Sequence, residues 1–206
     1  MKLLMEWNKK IMDYSLRFLE EEDSDIILKW RNSERVRTNM LNDNKIKTKD
    51  HQIWFQKVRE KHLDYYLIFS IDKISTGLVS FKDHSLSKDN CIWGIYIGEI
   101  NAPKGAGTLL GYIGIEYAFN RLKFKKIYAE VISTNIPSIK LHEKLGFSKD
   151  EFFQKEISKQ GKLVEVYRYT ISQESWLERK KTIKVNLNGK EVDVSDLSRL
   201  SRDIEK

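Results

Sequence analysis

The chain has 206 residues, of which 40% are hydrophobic and 11% aromatic, a globular composition that excludes a disordered chain. This length is enough for one domain with a sizeable core. The formal net charge of +7 favours acidic ligands. No aromatic–basic repeat, zinc-ligand spacing or recognition-helix pattern points to nucleic acid or to a metal.

The single cysteine, Cys91, cannot form a disulfide within the chain, which suits a reducing cytoplasm. It lies in a strand pattern and is expected to be a small core residue. No apolar run approaches the ~20 residues that a membrane-spanning helix needs. Residues 1–13 are predicted to be a loose leader without the apolar segment of a signal peptide. We therefore predict a cytoplasmic protein.

Apolar and polar residues alternate in several segments, which predicts strands. In chain order these are residues 14–19, 66–71, 77–81, 91–97, 127–132, 147–154 and 164–171. Helical periodicity predicts helices that begin at Asp23 or Ser24, at Thr48 or Asp50, after Gly107 and at Asn135. Turns are predicted at 72–73, 85–90 and 160–161.

The chain is organised around a strand, a glycine loop and a helix within residues 94–120. A glycine loop that opens onto a helix directs backbone N–H groups at an anion, and phosphate is the usual occupant. Gly105 and Gly107 would let the backbone approach that ligand. The spacing is neither that of a P-loop nor that of a dinucleotide fingerprint. A simple tight turn is the alternative.

A second motif lies between residues 126 and 147. Asn135 is a candidate N-cap, Pro137 falls in the first turn and Gly146 ends the helix. Together the two motifs resemble the signatures of the GNAT superfamily of acyl-CoA-dependent N-acetyltransferases, [QR]-x-x-G-x-[GA] and N-x-x-A-x-x-L-Y-x-K-x-G-F. The matching residues are Gly105, Gly107, Asn135, Leu141, Lys144, Gly146 and Phe147.

The resemblance covers residues 14–171 and implies an α+β fold. That fold is a twisted, mixed but mostly antiparallel sheet of about seven strands flanked by about four helices. Residues 172–206 lie outside it. Asn188-Gly189 predicts a type I′ hairpin between residues 182–187 and 191–194, and a short helix is predicted over 196–204. Because an isolated hairpin is marginally stable, the tail should dock on the core, on the second subunit of a homodimer or on another protein.

The resemblance also implies acetyl-CoA as co-substrate. The expected cofactor-binding residues are Tyr96, Ile97, Lys104, Gly105, Ala106, Gly107, Thr108, Asn135 and Lys140. Two positions depart from the family pattern. Ala102 replaces the first Gln or Arg of the loop, where the family uses largely backbone. His142 replaces the Tyr that protonates the leaving thiolate, so His142 is either the acid or a residue on the helix surface.

The first third of the chain should form the acceptor pocket. Trp-Arg-Asn at 30–32, then Met40, then His51 and Trp54 resemble the GNAT branch of the pseudaminic-acid pathway. That branch acetylates the 4-amino group of UDP-4-amino-4,6-dideoxy-N-acetyl-β-L-altrosamine. The resemblance gives Arg31, Met40, His51 and Trp54 substrate-binding roles, with Tyr96 beside the acyl group. An Arg fork suits pyrophosphate, and Trp and Met suit a uracil or sugar face.

Several alternatives remain open for this region. Trp54 could be core, Met40 a gap-filler and His51 a helix cap. The Trp-Arg-Asn triplet also occurs in acetyltransferases of ribosomal-protein N-termini, polyamines and amino sugars. A polyamine site needs acidic linings, whereas residues 31–49 are basic. A module that binds acetyl-CoA or a protein with weak catalysis is the alternative of another class.

Direct attack by the acceptor amine is expected, because the chain offers no nucleophile with a base beside it. Glu130 shares a strand face with Tyr128 and Ile132. In the resembling branch a Glu at this place acts as general base through a water. Desolvation would raise the pKa of such a carboxyl toward neutrality. Backbone N–H groups near Tyr96 and Ile97 would polarise the acyl oxygen.

Overall fold

The computed structural model describes residues 13–60, 64–83 and 89–194. The strands are β1 (Tyr14–Phe18), β2 (Asp64–Ile71), β3 (Ile74–Asp83), β4 (Asn90–Ile97), β5 (Lys126–Ile132), β6 (Ser148–Lys149), β7 (Glu156–Lys159), β8 (Lys162–Ser172), β9 (Asn186–Leu187) and β10 (Lys190–Glu191). The helices are α1 (Asp23–Asn32), α2 (Glu34–Arg37), α3 (Thr48–Glu60), α4 (Ala106–Asn120), α5 (Ile136–Leu145) and α6 (Gln173–Arg179).

The main sheet has eight strands in the order β1-β2-β3-β4-β5-β8-β6, with β7 paired to β8. All neighbours are antiparallel except β4 and β5, which run parallel. Their pairing ends at Trp93 and Ala129, so the two strands separate where β4 continues toward Ile97. The predicted mixed, mostly antiparallel α+β fold is confirmed, and this separation creates the cleft that holds the site.

Each face of the sheet carries its own apolar cluster, because successive side chains of a strand point to opposite faces. On one face α4 packs over Phe81, Cys91 and Trp93 in the larger cluster. On the other face α1 and α3 place Trp30 and Phe55 in a smaller one. Cys91 is buried, as expected of a core residue. The cleft between β4 and β5 therefore opens toward both layers of helices.

The helix that follows β5 begins and ends as its sequence predicts. The Asn135 side chain accepts a hydrogen bond from the Ser138 N–H at 3.2 Å, and Pro137 lies in the first turn. Gly146 ends the helix with a left-handed φ of 90°. These caps satisfy backbone groups that the helix leaves open. They fix the direction in which α5 leaves the cleft.

Two segments differ from their predicted structure. The predicted strand 147–154 is wrong beyond Ser148–Lys149, because the chain turns at Asp150 and forms a hairpin from β7 to β8 instead. The helices α2 and α6 were not predicted. They have four and seven residues, which is too short for clear helical periodicity. Within the ranges that the structure describes, no helix has the length and apolarity to cross a membrane.

The tail folds back onto the domain. Val185 and Leu187 are buried in the larger cluster, and β9 pairs with β10. The turn between them has left-handed φ values of 50° at Asn188 and 83° at Gly189, as a type I′ turn requires. The predicted leader, apart from residue 13, the helix at 196–204 and most of the turn at 85–90 lie outside the described residues. The division into leader, domain and tail stays a prediction.

Candidate active site

A groove of about 1130 Å³ runs through the cleft between β4 and β5. Of the predicted site residues, those that line it are Arg31, Met40, His51, Trp54, Tyr96, Ile97, Gly105, Gly107, Thr108, Glu130, Asn135, Lys140 and His142. The structure thus brings the two motifs together with the first third of the chain. This volume exceeds what a drug-sized ligand usually fills, and it suits two substrates that meet in the middle.

Lys104 and Ala106 are the predicted residues that do not line the groove. Ala106 is buried, and its N–H donates to the Pro103 carbonyl at 3.0 Å. Lys104 is exposed, and its backbone pairs with Asn188 of the tail. The family motif specifies the loop's backbone conformation, and it does not show which of its residues face the ligand.

The two loop glycines serve different purposes. Gly105 has a φ of 99°, and a Cβ built there would lie 1.9 Å from the Asn186 carbonyl oxygen. Its missing side chain therefore makes room for the tail, while the residue also lines the groove. A Cβ on Gly107 would meet no protein atom closer than 3.9 Å, on Ile97. Gly107 faces the groove, and only this glycine leaves space on the ligand side.

Arg31 lies on the opposite side of the cleft, near the end of α1. Its Nη1 is buried without a hydrogen-bond partner among the described residues. Burial lowers the pKa of Arg31, while the nearby Tyr96 and Tyr66 act in the opposite direction. A buried guanidinium N–H without an acceptor is costly. Because Arg31 also lines the groove, an anionic ligand there is a candidate for the missing acceptor.

The other predicted acceptor residues surround Arg31. Trp54 packs edge-on against Tyr66, with ring centroids 5.3 Å apart. The buried His51 contacts the Trp54 ring, and its Nε2 lies 2.8 Å from the Ser24 carbonyl oxygen. Met40 belongs to the loop after α2, and its carbonyl accepts a hydrogen bond from Lys159 Nζ at 2.8 Å. His51 thus ties α3 to α1, and Lys159 holds the Met40 loop.

Glu130 lines the groove as an ionised carboxylate. Arg168 Nη2 donates to it at 2.8 Å and Lys155 Nζ at 2.7 Å, and its side chain is 10% exposed. Burial acts to raise the pKa of Glu130, but these two hydrogen bonds outweigh burial and hold the pKa below its usual value. The expected upward shift is therefore wrong. The sequence pattern placed Glu130 on the right strand, but it could not show the two cations.

His142 is neither a surface residue nor a free proton donor. It is 2% exposed, and its Nε2 accepts from Trp93 Nε1 at 3.1 Å. Its Nδ1 lies 2.7 Å from the Ser138 carbonyl oxygen, to which it donates. Its ring also stacks on Tyr169. Both ring nitrogens are hydrogen-bonded, so the structure contradicts the predicted donation from His142 to a thiolate. Its burial also contradicts the predicted surface position, and His142 is a core residue.

We expect His142 to make the protein sensitive to mild acid. Burial lowers the pKa of His142 to about 4 and outweighs the hydrogen bond to Ser138, which acts to raise it. The unfolded chain takes up this proton near pH 6.5. The free energy of unfolding is therefore highest above that pH and falls as the pH decreases toward 4. Between pH 7 and pH 5 the loss should be about 2 kcal/mol, measured by denaturant unfolding at each pH.

A His142→Gln variant is the control for this loss, because its amide oxygen can still accept from Trp93. The pKa of His51 is also lowered by burial, so His51 contributes in the same range of pH. Subtracting the variant's curve from that of the wild type isolates His142. Equal slopes in the two proteins would show that His142 is protonated in the folded state.

Further residues of the groove were not predicted as site residues. These are Arg35, Lys82, Ser138 and Lys144, among others. Arg35 lies on α2, after the extended Ser33 that separates it from α1, and donates to the Gly98 carbonyl at 2.8 Å. Ser138 and Lys144 lie inside the second motif. Helical spacing from Asn135 and Lys140 could have found Ser138 and Lys144, whereas Arg35 lies on an unpredicted helix and Lys82 enters only through strand pairing.

Residues 16–166 match the model of the acetyltransferase (GNAT) domain, and the chain belongs to this family. The domain is an N-acetyltransferase whose co-substrate is acetyl-CoA. Its sequence is 28% identical over 134 residues to the acetyltransferase PseH of Campylobacter jejuni, covering 63% of this chain and 80% of that protein. An uncharacterised protein of Methanocaldococcus jannaschii is 27% identical over 138 residues, which are 65% of this chain and only 28% of that protein.

Solved structures share the fold at lower identity. The spermidine N-acetyltransferase of Vibrio cholerae, in complex with CoA and spermine, has a TM-score of 0.74 and 22% identity. The match covers 80% of this chain and 98% of that one. The acetyltransferase yncA of Salmonella typhimurium, with acetyl-CoA, has a TM-score of 0.63 and 23% identity over 77% of this chain and 93% of that one.

Proposed function

We propose that this protein acetylates the amino group of a UDP-linked 4-amino-4,6-dideoxy sugar, a reaction of bacterial surface-glycan synthesis such as the pseudaminic-acid pathway. The observation that carries the proposal concerns Arg31, which lines the groove and whose buried Nη1 has no hydrogen-bond partner in the part of the chain that the structure describes. A phosphate oxygen would satisfy it, and an Arg fork suits a pyrophosphate. The similarity to PseH supports the same acceptor.

The aromatic groups around Arg31 suit the remainder of such a ligand. Trp54 and Tyr66 lie on the wall of the groove beside it. A uracil or a sugar ring packs well on such a surface. Met40, on the loop held by Lys159, offers an adaptable apolar contact on the same side. The acceptor pocket therefore combines the Arg31 guanidinium with an apolar wall.

The charges of the groove disfavour a polyamine acceptor. The basic residues that line it are Arg31, Arg35, Lys82, Lys140 and Lys144. Among the acidic ones are Asp50 and Glu130, and Glu130 already pairs with two cations. A spermidine cation would meet a positive field here. At 22% identity, the structural likeness to the spermidine acetyltransferase concerns the fold alone.

We assign the pyrophosphate of CoA to the first turn of α4. The first N–H groups of a helix have no partner inside it, and the dipole favours an anion there. The N–H groups of Ala106 and Thr108 donate to the carbonyls of Pro103 and Gly105. This makes the Gly107 N–H the donor for the phosphate. Lys140 and Lys144 lie across the groove on α5 and add positive charge.

The transfer follows from the groups beside the cleft. The acceptor amine attacks the thioester carbonyl, and the C–S bond to CoA breaks as the C–N bond forms. Backbone N–H groups of β4 near Tyr96 and Ile97, beyond the point where β5 separates, stabilise the carbonyl oxygen. The Glu130 carboxylate takes the amine proton through a water. The thiolate leaves and is protonated from solvent, since His142 has no free N–H.

The acceptor is tested by mass spectrometry of the products formed from acetyl-CoA and three candidate amines. The panel holds the UDP-linked 4-amino sugar, spermidine and a ribosomal-protein N-terminal peptide. We expect acetylation of the sugar alone. Acetylation of the spermidine or the peptide instead would replace the proposed acceptor. Slow hydrolysis of acetyl-CoA with every amine would favour a module that binds acetyl-CoA and is weakly catalytic.

An Arg31→Lys substitution should separate the two substrates. Lysine keeps the charge and loses the bidentate fork. The variant therefore loses one charge-assisted hydrogen bond to the acceptor, which is worth about 1.5 kcal/mol. We expect the KM for the sugar nucleotide to rise about tenfold while the KM for acetyl-CoA stays unchanged. Steady-state kinetics with each substrate varied in turn measure both. A change confined to acetyl-CoA would place Arg31 on the other ligand.

The cytoplasmic location and a homodimer belong to the same proposal. The single buried Cys91 and the use of acetyl-CoA suit a reducing compartment. Light scattering of the purified protein measures its mass directly. A mass of two chains is expected, and a mass of one chain would contradict the homodimer.

A further inference from the structure

The tail after β8 is anchored on α4 by buried contacts. Lys180 Nζ lies 3.0 Å from Oε1 of the buried Glu116, and the Trp176 indole N–H donates to the same carboxylate. Farther along, Val185 and Leu187 are buried in the larger cluster. The hairpin of β9 and β10 is consequently held beside the first turn of α4.

The turn of this hairpin pairs with the glycine loop. The Lys104 N–H donates to Asn188 Oδ1 at 2.9 Å, and the Asn188 N–H donates to the Lys104 carbonyl at 2.9 Å. On the next residue, a Cβ at Gly105 would lie 1.9 Å from the Asn186 carbonyl oxygen, so the loop and the tail are in direct contact. The tail is therefore the outer wall of the loop whose inner side faces the groove.

We propose that Asn188 is a positioning residue for CoA, which acts by holding the glycine loop in its binding conformation. Ordering a residue on binding costs conformational entropy, and a loop that is already ordered avoids this cost. The pair of hydrogen bonds to Lys104 orders the loop immediately before the left-handed Gly105. The inference rests on the proposed place of the CoA pyrophosphate at α4.

The test compares Asn188→Gly with Asn188→Asp in the full chain. Glycine accepts the left-handed φ of 50° without strain but lacks the acceptor for the Lys104 N–H. Aspartate retains that acceptor. We expect the Kd for CoA, measured by calorimetry, to rise about fivefold in Asn188→Gly, as the loss of one hydrogen bond predicts. Asn188→Asp should stay near wild type when both are measured at about 0.5 M salt, which screens the added charge.

Asn186→Ala is the matched control, because it removes an exposed asparagine side chain from the same hairpin and keeps the backbone carbonyl. It should bind CoA as the wild type does. The inference is overturned if Asn188→Gly binds CoA as tightly as the wild type does. It is also overturned if Asn186→Ala or Asn188→Asp weakens CoA binding as much as Asn188→Gly does. Gly107→Val distinguishes the underlying assignment: normal CoA affinity in that variant would remove the pyrophosphate from this loop altogether.

Discussion

A Gly107→Val variant should lose CoA affinity by about 1000-fold while its fold is intact. The branched side chain would occupy the space that the phosphate needs. It would cost the charge-assisted hydrogen bond from the Gly107 N–H and the attraction to Lys140 and Lys144, each worth about 2 kcal/mol. Outside its own helix backbone and chain neighbours, no described atom lies closer than 3.9 Å to a Cβ at this position, so the new side chain would enter the groove that Gly107 lines. Calorimetric titration with CoA measures the loss.

Gly107→Ala is the control that separates ligand from fold. Gly107 is the second residue of α4, and alanine is favoured over glycine in a helix by about 1 kcal/mol. The alanine variant should therefore melt at a higher temperature than the wild type and still bind CoA more weakly. If CoA affinity is unchanged in both Gly107→Val and Gly107→Ala, and Gly107→Ala is more stable than the wild type, the pyrophosphate does not bind at this end of the helix.

A Glu130→Gln variant should lower kcat about 100-fold, the lower end of the range for a positioned base. Glutamine keeps the shape but cannot take a proton. Arg168 and Lys155 donate to different oxygens of Glu130, at 2.8 and 2.7 Å, so the single amide oxygen of glutamine retains only one of these two hydrogen bonds. CoA affinity should stay unchanged. Full activity in the folded variant would exclude Glu130 as the base.

A Lys155→Met variant is the matched test, because it removes one of the two cations and leaves the carboxylate in place. Lys155 lowers the pKa of Glu130, so its loss should raise that pKa. A base must be ionised to act, and the acidic limb of the rate–pH profile should therefore move to higher pH. A limb that neither Lys155→Met nor Glu130→Gln alters belongs to another group.

The fold and the loop motifs could be predicted because local sequence determines them. Asn135 and Gly146 mark the ends of α5 through backbone hydrogen bonding and a left-handed φ. Alternation along β4 and β5 separates the face of Trp93 from that of Tyr96 and Glu130, because the side-chain period of a strand is two. Such signals extend over a few residues, so one sequence is enough to recognise them.

The electrostatics of the site depended on tertiary structure. The pKa of Glu130 is lowered because Arg168 lies opposite it on β8 and Lys155, which directly precedes β7, donates a hydrogen bond to it. His142 is neutral because burial lowers its pKa, and Trp93 of the distant strand β4 helps to enclose it by donating to its Nε2. In both cases burial and a distant partner decide the protonation state. Neither effect is visible in the sequence around the titrating residue.

The tail shows the same division. The Asn188-Gly189 pair determines a tight turn by itself, since both residues tolerate a left-handed φ. Only the folded chain shows that this turn pairs with Lys104 and fills the space beside Gly105. The motif predicts that Gly105 makes room for a ligand. In the folded chain the atom nearest to a Cβ at Gly105 is the carbonyl oxygen of Asn186, which lies far along the chain.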